Sequence, residues 1–277
     1  MGYSIFQETM VDMTYQEIEQ AAARKLPVLF PTAVIEEHGP HLPLGVDTYL
    51  SYNQSRLVKK GLQALGIDSV IAPPYYWGIN VASDGFAGSF SVKPETMTAV
   101  LCDSLECLNK WGFDKIFILN FHGDFKHNSA ILEAARIAYE ELDIGAYFLA
   151  SETFLQRAGL TEQKPYVLVH TGSYSGHKNK ELPPEYLDIH AGSLETSLMF
   201  KDFPDLVNTE LAKSLPSSMT TMQGLKIWSQ GGDKAKEITP QGYLGHPAEF
   251  SLEEAALYNE QLIATVPQII KDFLDRN

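Results

Sequence analysis

Residues 115–124 are Lys-Ile-Phe-Ile-Leu-Asn-Phe-His-Gly-Asp. Within them Lys115–Phe121 (KIFILNF) is the clearest strand of the chain, apolar without a break from Ile116 to Leu119. An alternating run suits a strand with one wet face, whereas an unbroken run predicts a strand covered on both faces of a parallel sheet. Downstream, residues 128–142 carry apolar side chains at Ile131, Ala134, Ala135, Ile137 and Ala138, a helical spacing, and Ile144–Ala150 (IGAYFLA) is a second strand. Upstream, Pro94 suits the first position of a helix that runs to about Trp111, before Gly112. Further out lie a strand at Ser69–Ala72, cut by Pro73 and Pro74, and a helix from Thr48 to Leu65, stopped by Gly66. Pro27–Ala33 (PVLFPTA) is the first strand, preceded by a helix to about Lys25 with Thr14 and Glu17 as a capping box. Strands alternating with helices at this spacing imply right-handed crossovers and a mainly parallel α/β sheet.

After Ser151 the pattern loosens. Residues 160–189 are rich in Pro, Gly, Tyr and Lys and suit a surface excursion, and 201–247 are irregular. Segments of this length rarely lack a purpose, so both are expected to form an active-site lid or subunit contacts. A final helix spans Leu252 to Leu274, with an interruption expected at Pro267. No repeat, low-complexity tract or linker divides the chain, so residues 1–277 are expected to form a single domain.

The chain has 21 Lys and Arg against 35 Asp and Glu, a net charge of −14. That balance argues against nucleic acid and against an anionic membrane face. No apolar run reaches the roughly 18 residues of a membrane span. The acidic, amphipathic start lacks the pattern of a signal peptide, so a cytoplasmic location is expected. Cys102 and Cys107 are expected to be buried thiols rather than a disulfide.

In open parallel sheets, chemistry sits beyond the carboxyl ends of the strands. Two clusters follow such ends, and a third lies further along the chain. The first, Glu36-Glu37-His38-Gly39-Pro40-His41-Leu42-Pro43-Leu44-Gly45-Val46-Asp47, puts five metal-capable side chains on a Gly- and Pro-stiffened loop. The second is Asn120-Phe121-His122-Gly123-Asp124, with His127 just beyond, solvent-facing or supporting. The third is Asp188-Ile189-His190-Ala191-Gly192-Ser193-Leu194-Glu195. Each taken alone also fits a plainer part: an N-cap aspartate, a partly buried histidine, or an acidic first turn favoured by the helix dipole. Together their mixed His and carboxylate donors suit Zn²⁺ or Mn²⁺.

The first string resembles the first motif of the creatininase (creatinine amidohydrolase) family, E-x-H-G-x-H-L-P-x-x-x-D. The string NFHG resembles the family's histidine-glycine motif, and DIHAGSLETS its H-A-G-x-x-E-T-S motif. Phe86–Phe90 (FAGSF) resembles its F-P-G-T-type loop. The resemblance implies a three-layer α/β/α fold, two divalent metal ions (Zn and/or Mn), and a homohexamer. It assigns Glu36 and His122 to one cation, His38 and Glu195 to the other, and Asp47 to both. It makes His190 the catalytic histidine, with Asp188 beside it. Asp124 stands where creatininase proper has a carboxylate tied to metal and catalysis. Some positions depart: Gly123 replaces a substrate-contacting tyrosine, Ser83 stands where many members have histidine, and residues 160–189 hold none of the covering tryptophans.

The implied activity is a metal-dependent hydrolase that opens a small cyclic amide, creatinine-like, at its C–N bond. The alternative within the family is C–C opening of an oxidised inositol, resembling 3-dehydro-scyllo-inosose hydrolase. The Trp77-Gly78-Ile79-Asn80 loop, Lys178, Lys180 and the many Tyr and Asn residues suit hydroxyl recognition. The non-enzyme alternative is a degenerate scaffold that binds a metabolite, which a lost ligand position would favour.

Overall fold

The computed structural model describes residues 3–170 and 185–277. In chain order the elements are α1 (Tyr15–Ala23), β1 (Val28–Thr32), α2 (Val46–Ala64), β2 (Val70–Ile71), α3 (Pro94–Lys110), β3 (Ile116–Asn120), α4 (Phe125–Glu140) and β4 (Ala146–Ser151). There follow α5 (Glu152–Arg157), β5 (Val167–His170), α6 (Ser193–Asp202), α7 (Thr209–Ser214), α8 (Met222–Trp228), α9 (Gly232–Ile238) and α10 (Leu252–Leu274). The strands form one parallel sheet in the order β2-β1-β3-β4-β5. β3 is central: Ile116–Asn120 pair with Val28–Thr32 on one side, and Ile116–Ile118 with Ala146–Phe148 on the other.

The unbroken apolar run of β3 has the physical cause that the sequence suggests. Ile116 and Ile118 face Met97, Leu101 and Leu105 of α3 and Ile131 and Ala134 of α4. Phe117 and Leu119 face Val58 and Leu62 of α2 and Val266 and Ile270 of α10. Successive side chains therefore enter opposite cores, giving three layers, α/β/α. Thr14 and Glu17 close the capping box on α1. Helix α4 begins at Phe125, three residues before the sequence suggests, because Asp124 caps it.

Four expectations are corrected. The segment 201–247 holds α7, α8 and α9, each too short to carry a periodic signal. The segment 160–189 contains edge strand β5 before it passes outside the described residues at 171–184, where Lys178 and Lys180 also fall. Helix α10 continues through Pro267, whose ring fills the space left by Gly61 of α2. Cys107 is exposed while Cys102 is buried, because five residues of helix turn them to different faces; both are free thiols.

Candidate metal centre

β1 and β3 are adjacent, so the loops after them share one edge of the sheet. The loop after β1 carries Glu36, Glu37 and His38 and ends in Asp47 on the first turn of α2. His122 follows β3. The third cluster reaches the same place from outside the sheet. Leu244 N–H donates to the His190 carbonyl, and His190 N–H to the Leu244 carbonyl, in an antiparallel bridge. Ala191, with φ of 49°, then turns the chain into α6. In the first turn of α6, Glu195 Oε2 accepts the Ala191 N–H at 2.6 Å. That local bond fixes the carboxylate toward the centre.

Six residues converge. Glu36, Asp47 and His122 offer three donor atoms close enough to share one cation. His38, Asp47 and Glu195 offer a second set, so Asp47 belongs to both. Glu36, His38 and His190 form a third grouping. His122 Nδ1 lies 3.2 Å from both Glu36 Oε1 and Asp47 Oδ2. His38 Nε2 lies 3.8 Å from Asp47 Oδ1 and 3.7 Å from Glu195 Oε2. Ser83, where many family members have histidine, donates its hydroxyl to Glu36 Oε2.

The ring tautomers follow from backbone carbonyls, which can only accept. His38 Nδ1–H donates to the Glu36 carbonyl at 3.1 Å. His122 Nε2–H donates to the Ile79 carbonyl at 2.9 Å. His190 Nε2–H donates to the Glu37 carbonyl at 2.8 Å. Each ring thus anchors one nitrogen outward and turns the other toward the carboxylates, the arrangement of metal-ligating histidines. His38 Nε2 and Asp47 Oδ2 are buried without a hydrogen-bond partner among the described residues.

Such a concentration of inward lone pairs is unfavourable without positive charge. Without a cation, protons take its place. Burial disfavours charge on His122, but Glu36 and Asp47 outweigh it and hold the ring well above its ordinary value. His190 is likewise buried, yet Glu36 and Glu37 push it up to about 10. Glu195 is pushed up to about 8, chiefly by burial. His38 moves the other way, to about 3, through burial and the neighbouring His190. The donor set fits divalent cations: mixed nitrogen and oxygen ligands, buried, with two unpartnered atoms aimed inward.

Asp124 and Asp188 stand outside these groupings. Asp124 Oδ1 accepts the N–H groups of Lys126 at 2.7 Å and His127 at 3.0 Å, and Oδ2 accepts Val81 N–H at 3.0 Å. Asp188 accepts Ser193 N–H at 2.9 Å and packs against Gly192 and Gly245, where a Cβ would overlap its carboxylate. His127 is fully buried: it accepts Ile79 N–H at Nδ1 and donates from Nε2 to Asn120 Oδ1. A cavity of about 460 Å³ opens beside the centre, lined by His122, Glu195, Asp188, Asn128, Arg157 and His170 among others. The sequence reading missed two neighbours of His190. Trp228, from α8, has its ring 5.6 Å from the imidazole. Glu37 Oε1 lies 3.4 Å from Nε2.

The creatininase family model, described as creatinine amidohydrolase, matches residues 11–270. This chain belongs to the creatininase family. Among curated relatives, 3-dehydro-scyllo-inosose hydrolase of Thermotoga maritima is 25% identical over 95% of this chain and 83% of its own length. Creatinine amidohydrolase of Pseudomonas putida is 26% identical over 76% of each. Mycofactocin precursor peptide peptidase of Mycolicibacterium smegmatis is 30% identical, over 52% of this chain and 57% of that one. The chain thus spans little more than half of that peptidase's length. A solved creatinine amidohydrolase superposes with a TM-score of 0.70 at 22% identity, covering 96% of this creatininase-family chain and 97% of the other. That likeness establishes the fold.

Proposed function

We propose that this creatininase-family protein is a metal-dependent hydrolase that opens a small cyclic amide at its C–N bond. The observation that carries this reading is the convergence of inward-turned imidazoles on three carboxylates, each ring held by a backbone carbonyl. Glu36, Asp47 and His122 would hold one divalent cation, and His38, Asp47 and Glu195 another. Structures of creatininase itself, in Mn and Zn–Zn forms, support Zn or Mn as the metals. Bound there, the ions supply Lewis acidity and a nucleophile drawn from water near neutral pH. His190 turns Nδ1 toward the centre, where it can take a proton and return it to the leaving nitrogen. Ser83 and Ala191 N–H orient Glu36 and Glu195. Asp124 and Asp188 hold backbone around the site rather than moving protons. A homo-oligomer, hexameric by family resemblance, in the cytoplasm completes the reading.

A second reading keeps the same centre and changes the substrate to an oxidised inositol. It is favoured by polar groups on the cavity wall, where Ser151, Thr153 and His170 can meet hydroxyls.

Both readings are decided by assay. Protein stripped with chelator and reloaded with Zn²⁺ or Mn²⁺ is offered creatinine and other small lactams, oxidised inositols and short peptides. The leading reading predicts ring opening of a lactam that disappears on stripping and returns with metal. Turnover of inositols alone selects the second reading. Peptide cleavage alone, or turnover indifferent to metal, contradicts both.

A further inference from the structure

Glu37 occupies the one position between Glu36 and His38 that the family pattern leaves open, and no part of the reaction above uses it. Its side chain is buried, 7% exposed. Oε2 accepts Gly39 N–H at 2.9 Å. Behind it lies Gly242, with φ of 81°, where a methyl group would overlap the carboxylate. Oε1 is thereby left facing His190 Nε2 at 3.4 Å, an ion-pair contact longer than a full hydrogen bond, and has no hydrogen-bond partner among the described residues. The same residue's carbonyl already accepts the Nε2 proton at 2.8 Å. The ring of His38 lies 4.4 Å from that of His190, centre to centre.

We propose that Glu37 is a positioning residue whose carboxylate and backbone carbonyl together grip the Nε2–H edge of His190, so that Nδ1 faces the metal centre. Two acceptors on one edge do what one cannot. A single carbonyl restrains one N–H direction and leaves the ring free to rock about it. A second acceptor on the same edge penalises rocking and also penalises the flipped ring, which would present carbon to both oxygens. Because the Gly39 N–H and the close approach of Gly242 fix the far side of the carboxylate, the acceptor is rigid before any substrate arrives. Groups that orient a functional imidazole from behind typically matter by about 10–100-fold. The inference concerns the hydrolytic site proposed above and rests on that reading for its catalytic consequence.

The test uses the Zn²⁺-loaded protein labelled with ¹⁵N in its histidine rings. The His190 resonances are assigned by their loss in His190→Gln. Wild type should show one tautomer, with the proton on Nε2 and a sharp, slowly exchanging Nε2–H resonance. Glu37→Met, near-isosteric and without a side-chain acceptor, should bind the same amount of zinc and, with the Glu37 carbonyl still in place, keep the proton on Nε2, but its Nε2–H resonance should broaden and exchange faster with solvent as the ring rocks. Glu37→Gln, which restores a neutral acceptor oxygen, should return the sharp resonance. On whichever compound the assay panel identifies, Glu37→Met should lower kcat about 10–100-fold with KM within about twofold, and Glu37→Gln should recover most of it. If Glu37→Met leaves the width and exchange rate of the His190 Nε2–H resonance unchanged, the clamp is wrong even with turnover intact. If Glu37→Gln is as impaired as Glu37→Met, charge and not position is at work, and the proposal fails. Should Glu37→Met not fold, Gly242→Ala displaces the carboxylate without deleting it, and an unaltered His190 spectrum there overturns the proposal. A broadened, fast-exchanging His190 resonance in Glu37→Met together with no turnover of any compound would leave the clamp standing and sink the hydrolase reading.

Discussion

At the scale of single residues, proximity in sequence decided what could be read. Glu36, His38 and Asp47 share one loop, and His190 and Glu195 share another, so their donor chemistry is visible as strings. What holds those side chains is not visible in the same way. The carbonyl that fixes His122 belongs to Ile79, and the hydroxyl on Glu36 belongs to Ser83, both far away in the chain. His127 shows what such partners decide: its place near a helix start left a solvent-facing and a supporting role open, and both ring nitrogens are bonded in the interior, which is the supporting one. Burial, helped by the charge on His122, holds it well below its ordinary pKa. Above about pH 6.5 His127 is neutral folded or unfolded; below it the unfolded chain takes up a proton that the native state refuses. Stability is therefore lost as pH falls, at about 1.4 kcal/mol per pH unit for each such proton. His41, lowered to about 4, and His170 act in the same direction. Urea midpoints of the metal-free protein should decline from pH 6.5 to 5, and His127→Gln should flatten that decline by about one proton. A pH-independent difference between the two proteins would contradict the assignment.

Among elements, β1, β3 and β4 were legible because a strand buried on both faces must be apolar throughout. Edge strand β5 was not, since its burial is partial and Val169 is 40% exposed. Pro267 misled for a different reason: a proline inside a helix is tolerated where a neighbour makes room, and Gly61 of α2 does so. Asp124 is the sharpest case. Two residues from His122, it invites an acid–base or ligand role, and as an aspartate before a helix it also caps that helix, its oxygens accepting three backbone N–H groups; the cap is the part we propose for it. Asp124→Ala should lower stability by about 1–2 kcal/mol in denaturant unfolding. Asp124→Asn, a good cap itself, should remain near wild type in both stability and turnover. A Asp124→Asn protein that is fully stable but loses turnover a hundredfold or more would restore the acid–base role.

For the molecule as a whole, the charge of −14 divides once the centre is located. Glu36, Glu37, Asp47 and Glu195 gather where three histidines turn inward. Surface carboxylates such as Glu140 and Glu141, both paired with Arg136, belong to solvent-facing helix ends. No described helix is long and apolar enough to cross a membrane. The sheet order places the β1 and β3 loops side by side, and a segment far down the chain, anchored at Leu244, closes the third side. That long-range closure is what no local string announces; the three strings offered the donors, and the family resemblance assigned them to shared cations. It also makes Asp47 the residue shared by two of the donor groupings that could hold a cation. Metal content is thus the most direct measure of the account. Stripped protein and its Asp47→Asn variant are dialysed against Zn²⁺ and weighed for bound metal per folded chain. The account predicts two ions for the wild type and loss of both, with the fold intact, in Asp47→Asn. Two ions retained by Asp47→Asn, or none bound by the wild type, would contradict it.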